Sequence, residues 1–207
     1  MNRPSTALLA LVVATIACHA SVRTRESRDH SREACRSAAT QVAAGAESFA
    51  AFVTLGWCDE SGPPVIAARW AAATPHDSLA LRGFFFASGN LRDGRIFEAA
   101  YAAAIDSVRP AYERGAALLV LVAQLDPSAA IMTTTGVNGN PWRALLGQSM
   151  HRGSQAGTRP LPNDARQRVI AFVRSIAGDR PGSLARMFEP LYEAATSAHH
   201  ALQRSSL

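Results

Sequence analysis

Ser149, His151 and Asp164 are the three residues whose types match a nucleophile, a general base and an orienting carboxylate. A serine of that kind is usually presented on a Gly-x-Ser-x-Gly turn, and no such frame surrounds Ser149. The six histidines offer no His-Glu-x-x-His spacing, and the adjacent His199 and His200 project to different sides of a helix, so no metal site follows. Asp59 and Glu60 are neighbours at a helix end, where carboxylates cap or are solvated. Lysine is absent and all 21 basic residues are arginine, which excludes a Walker-type phosphate loop, a Schiff-base lysine and a Ser-Lys dyad. What stays open is a secreted hydrolase with its site in residues 133–163. No catalytic residue, metal or cofactor is assigned.

The cysteines point elsewhere. The N-terminus, MNRPSTALLALVVATIAC, has Arg3, an apolar core from Ala7 to Ala17 and a small residue before Cys18, the layout of a bacterial export signal. Thr15-Ile16-Ala17-Cys18 resembles a lipobox, which implies cleavage before Cys18 and lipidation of its sulfur. Thr15 departs from the commoner Leu, and an ordinary signal cut after Ala20 is the alternative. The apolar run is too short for a retained membrane helix. Export places Cys35 and Cys58 in an oxidising compartment. With a helical hairpin turning at Gly45, the two stand about ten residues before and about thirteen after the corner, at one level on adjacent helices. A disulfide there would contribute about 3 kcal/mol through loop-closure entropy, and would leave no thiol nucleophile. Two buried free thiols are the alternative.

The elements that must position these groups are helical. A charged tether, residues 18–32, leads into one domain over 33–203. The stretch from Asp93 to Asp126 reads as two antiparallel helices. The first has its N-cap at Asp93 and one apolar face at Ile96, Ala99, Ala100, Ala103 and Ala104. The second is expected to be capped by Ser107, with Pro110 in its first turn and Val108, Ala111, Tyr112, Gly115, Leu119 and Val122 in one apolar series. It loses its polar face after Gly115, so it should be the most buried helix. Earlier pairs are expected at 31–44 with Glu47–Trp57, and from Ser61 to Thr74 with Asp77 or Ser78 to Ser88. Trp57, Trp70 and Phe84-Phe85-Phe86 are expected to pack the core, the alternative being an aromatic binding face. A last pair spans Asp164–Ala177 and Ser183 to about Gln203.

The hairpin repeats. VIAARWAAA, from Val65, aligns with IFEAAYAAA, from Ile96, and Arg82-Gly83-Phe84 aligns with Arg114-Gly115-Ala116, a period of about 31 to 32 residues. A weaker copy begins at Val169. Helical pairs that cannot bury their faces alone stack as an α-solenoid. The alternation of an Ala-rich helix with a Leu-rich helix ending in Leu125-Asp126-Pro127 resembles the short HEAT-like repeats also found in bilin lyases. It covers Ser61 to Pro127 well and Asp164 to Ala198 poorly; the tetratricopeptide pattern does not fit. The resemblance implies a binding scaffold and carries over no catalytic residue. The expected fold class is therefore all-α, with antiparallel helical hairpins stacked as a short HEAT-like α-solenoid and an irregular insertion at about 128–163.

That insertion is rich in Thr, Asn, Gly and Pro, and loops of this kind often carry contacts. Charge changes there as well. Residues 18–126 hold 11 Arg against 12 acidic residues, and 127–207 hold 9 against 4. For an exported chain this basic half suits anionic head groups or an acidic protein better than nucleic acid, if its arginines are more than a solvated face. The reading is an exported, lipid-anchored, non-enzymatic scaffold binding another protein. Trp142 and Arg143 are the expected anchors and Arg152 and Arg159 lie nearby, since Trp and Arg dominate hot spots. The hydrolase and a purely structural envelope protein are the rivals. Trp142→Ala is expected to abolish partner capture in a pull-down. Loss of turnover in Ser149→Ala or His151→Ala, with capture intact, would instead select the hydrolase.

Overall fold

A computed structural model describes residues 31–126, 155–156, 159–178 and 190–204, and over these the chain is mostly helical. Helix α1 covers 31–43, followed by α2 (Phe49–Leu55), α3 (Gly62–Ala72), α4 (Ser78–Asn90), α5 (Gly94–Ile105) and α6 (Ala111–Leu125). Two later helices are α7 (Ala165–Ala177) and α8 (Pro190–Arg204). Between α4 and α5 the two-residue strand β1 (Leu91–Arg92) pairs in parallel with β2 (Gln155–Ala156). This strand pair is the one departure from a purely helical expectation, and it comes from the end of the insertion returning to the body.

Local chemistry sets the helix limits. Ser48, Asp77 and Asp93 cap α2, α4 and α5, each side chain accepting a backbone N–H of the first turn. Pro63 and Pro64 occupy the first turn of α3, where a missing N–H leaves no bond unmade. The α1–α2 corner turns at Gly45, whose φ of +89° suits glycine. The start of α6 differs from expectation. Ser107 does not cap it; the helix begins at Ala111, after Pro110. Asp106 accepts the Val108 N–H and holds 106–110 as a turn, which leaves Val108 91% exposed and Tyr112 at the surface. Glu47, expected inside a helix, precedes the Ser48 cap. Its carboxylate accepts the N–H groups of His76 and Asp77 and the Arg69 guanidinium, closing the α3–α4 connection.

The packing pairs α2 with α4, α3 with α5, α5 with α6, α6 with α8 and α7 with α8. Helix α6 is central, and every residue from Gly115 to Gln124 is buried. The aromatic groups divide. Trp70, Phe84 and Phe85 lie in the core with Phe52, the Trp70 and Phe84 ring centroids 4.8 Å apart, while Trp57 sits at the surface against Phe86. Cys35 and Cys58 form a disulfide that ties α1 to the turn after α2. Helix α1 contributes little else to the core. Ala38 and Val42 are its fully buried apolar side chains, which by burial amounts to about 3 kcal/mol.

The α2–α4 contact depends on Gly83. A Cβ there would lie 2.8 Å from the Phe49 carbonyl oxygen and 2.9 Å from the Phe52 Cβ, neither of which can move without shifting α2. Gly83→Ala should therefore destabilise the protein by about 1–2 kcal/mol, even though alanine is the better helix former by about 1 kcal/mol. Urea denaturation followed by circular dichroism measures it. An unchanged or raised midpoint would show that α2 and α4 do not approach this closely.

Candidate functional site

The chain reverses between α4 and α5 inside the molecule, and the residues that make the reversal possible form the best-defined polar site among the described residues. The last carbonyls of a helix have no intrahelical partner. Here the Gln124 side-chain amide, buried at the end of α6, donates to the carbonyls of Ser88 and Leu91 and accepts the Asp93 N–H at 3.0 Å. Ser88 donates to Phe84 O at 2.8 Å and accepts from Trp70 Nε1 at 3.0 Å, which joins the aromatic core to the same network. One helix layer back, Asn90 Nδ2 donates to Gly56 O at the end of α2 at 2.7 Å.

Asp93 is the charged member. Its side chain is fully buried, yet it accepts from Arg95 Nε and Nη2 at 2.9 Å each, from the Arg95 N–H at 2.9 Å and from the Arg159 N–H at 3.1 Å. Burial pushes its pKa up, and the Arg95 guanidinium with the two backbone donors outweighs burial, so the carboxyl stays below its ordinary value. Gly94 N–H donates to the Arg159 carbonyl at 3.0 Å, and a Cβ at Gly94 would clash with the Pro160 carbonyl oxygen. The end of the insertion is thus docked on the start of α5 by backbone bonds, a buried carboxylate and the β1–β2 pair.

Beside it runs a shallow groove lined by Arg95, Glu98, Ala99, Arg159, Leu161 and Pro162. Arg168 of α7 reaches Glu98 of this groove. Its guanidinium pairs with both oxygens of Glu98 at 2.7 and 2.8 Å and lies 4.1 Å from the Tyr101 ring centroid. The pairing holds Glu98 below and Arg168 above their ordinary values. These carboxylates are held ionised by arginine, whereas a general acid needs a raised pKa.

Of the residues singled out from sequence, the structure brings Cys35 and Cys58 together and puts Arg159 at the junction, its side chain at the surface. Asp164 is exposed at the start of α7 and makes no side-chain capping bond. His199 and His200 meet edge to face with centroids 5.7 Å apart. No group of three or more metal-binding side chains occurs among the described residues. Cys18, Trp142, Arg143, Ser149, His151 and Arg152 lie outside the described residues. Gln124, the buried role of Asp93 and the Arg168 stack were not anticipated. Gln124 carried a signal: it is the one polar residue between Gly115 and Leu125, and a buried amide needs partners.

No protein family, curated protein or solved structure matches the chain. The fold and this junction show a mostly helical protein whose residues 159–163 dock on the start of α5.

Two expectations follow. Gln124→Leu leaves the Ser88 and Leu91 carbonyls and the Asp93 N–H without their partner, so stability should fall by about 3 kcal/mol or more. An equally stable variant would mean that these groups find water. Asp93 has a folded pKa below its unfolded value of about 3.9. Its contribution is therefore complete above about pH 4 and is lost as pH falls through the lower folded value. Asp93→Asn should be destabilised near neutral pH and should approach the parent in acid, read by denaturant melts across pH. A difference independent of pH would contradict an ionised Asp93.

Proposed function

We propose that this protein is an exported, lipid-anchored scaffold of stacked helical hairpins that binds another protein and performs no reaction of its own. The observation that carries the stacking is a repeated capping device. Asn90, ending α4, caps the end of α2, and Gln124, ending α6, caps the end of α4. Capping between elements two apart recurs one hairpin later, which supports the stacking, and α2–α4 and α3–α5 are side-by-side neighbours in keeping with it, while α4 and α6 touch less extensively.

Export is supported by the N-terminal Arg3-to-Cys18 pattern and by the disulfide, which persists in oxidising compartments. No helix among the described residues is long and apolar enough to cross a membrane. Attachment in this reading is through lipid on Cys18, the residue that closes the N-terminal pattern. The partner binds the 133–163 insertion, with Trp142, Arg143 and Arg152 on it, and the adjoining groove of Ala99, Leu161 and Arg159. Docking of 159–163 on α5 seats this part of the groove on a rigid element.

Crosslinking of the protein in its native envelope, with mass spectrometry of what co-purifies, tests this. A dominant partner linked within 133–163 is expected, with Leu161→Asp reducing its recovery at least ~10-fold, a hot-spot-sized loss. Recovery of the protein alone, with the loop unlinked, would overturn the scaffold reading.

A further inference from the structure

Helix α1 is fastened by a bond and barely packed. Of its residues from 31 to 43, Ala38 and Val42 are buried, Cys35 and Ala39 are half-buried and the rest are exposed. Its Thr40 and Gln41 side chains bond back to Arg36 and Ser37 of the same helix. A cleft opens between α1 and the end of α2. Arg32, Cys35 and Arg36 line one wall and Thr54, Trp57 and Cys58 the other. The contrast is with α3 to α6, which share the aromatic core and the buried capping network and have no covalent link.

We propose that the Cys35–Cys58 disulfide is a redox latch, whose reduction releases α1 and uncovers the Trp57 side of α2 while the body from α3 to α6 stays folded. This inference does not depend on what the protein binds.

The reductant is a dithiol. Its first thiolate attacks the Cys35 sulfur, the more accessible of the two, since Cys58 is 2% exposed. A mixed disulfide forms, the Cys35–Cys58 bond breaks, and the electron pair stays on the Cys58 sulfur, which takes a proton from water. The second reductant thiolate attacks the mixed disulfide, freeing Cys35, which is protonated in turn. Two cysteine thiols and one oxidised dithiol result.

The released Cys58 is already provided for. Its sulfur lies 3.0 Å from the Thr54 carbonyl oxygen, a contact that carries no hydrogen in the oxidised state and becomes an S–H donor bond in the reduced one. The body can therefore hold the reduced Cys58 in place, and only α1 has lost its fastening.

Hydrogen exchange on the full chain, oxidised and then reduced with dithiothreitol, tests the latch. Amides in 31–43 should exchange at least ~10-fold faster after reduction, and those of α3, α5 and α6 should stay within about 2-fold, the signature of local opening. The Cys35→Ala, Cys58→Ala double variant should match the reduced protein. Unchanged protection of 31–43 would overturn the proposal. So would simultaneous loss of protection in α3 to α6, or failure of the double variant to fold, because either result makes the bridge a staple of the whole domain.

Discussion

Stacked helices bury their own ends, and the unpaired carbonyls at those ends must be satisfied by side chains, because no next turn follows. In this protein the donors come from a neighbouring element each time. Asn90 serves α2, Arg109 serves α3 through the Trp70 and Ala71 carbonyls, Gln124 serves α4, Arg114 serves α5 through Ala104, and Arg166 serves α8 through Leu202. A donor that caps one helix while standing on another fixes the axial register between the two. Apolar packing between Ala-rich surfaces is forgiving about sliding, since small side chains make shallow ridges. The Asn90 and Gln124 bonds are not forgiving, because a slide of one turn would orphan the buried carbonyls of Gly56, Ser88 and Leu91, whereas the arginine-capped ends are partly exposed.

Arginine performs tasks here that lysine could not. Arg95 grips both oxygens of Asp93 and Arg168 both oxygens of Glu98, the second lying over the Tyr101 ring as it does so. Both use a planar fork of donors that an ammonium lacks. The two pairs are unequal in weight. Glu98 is half exposed, so solvent screens its pair and its role is mainly to orient α7. Asp93 is fully enclosed, so its partners decide whether a charge can exist there at all.

How much of this was legible depended on whether local sequence or tertiary position made the decision. The hairpin α5–α6, the Asp77 and Asp93 caps, the Gly45 corner and the position of Cys35 opposite Cys58 follow from spacing and side-chain chemistry within a few residues. The start of α6 did not, because Val108 continues an apolar period that the Asp106 turn overrides. Glu47 looked helical by context, and its real partners are about thirty residues away at His76 and Asp77. The parallel pairing of β1 with β2 joins residues far apart in sequence across two-residue strands, too short to leave an alternating pattern. For the junction, the sequence showed Asp93 only as a cap and Arg159 only as a partner-contact arginine in the insertion. Their bond through the Arg159 backbone N–H uses an atom every residue but proline has.

The remaining asymmetry lies between the two ends of the helices α2 to α6. At the end that holds Gly56, Asn90, Asp93 and Gln124, the α4–α5 reversal is largely buried and its backbone groups are paired, while Trp57, Asp59 and Glu60 of the α2–α3 turn are exposed. At the other end, Phe49 and Leu79 begin α2 and α4, Ile105 ends α5, and Val108 and Tyr112 flank the start of α6, all substantially exposed. Polar capping occurs at both ends, since Arg109 and Arg114 serve α3 and α5 at this second end. What differs is that more of the large apolar groups stand in water there, Trp57 being the exposed one at the first. Turn geometry accounts for part of the difference, since the Asp106 turn that frees Arg109 to cap α3 also turns Val108 outward. Insertion and junction meet at the paired end, where the backbone is fixed from several directions. Residues 159–163 are thereby seated on a rigid base at the start of α5.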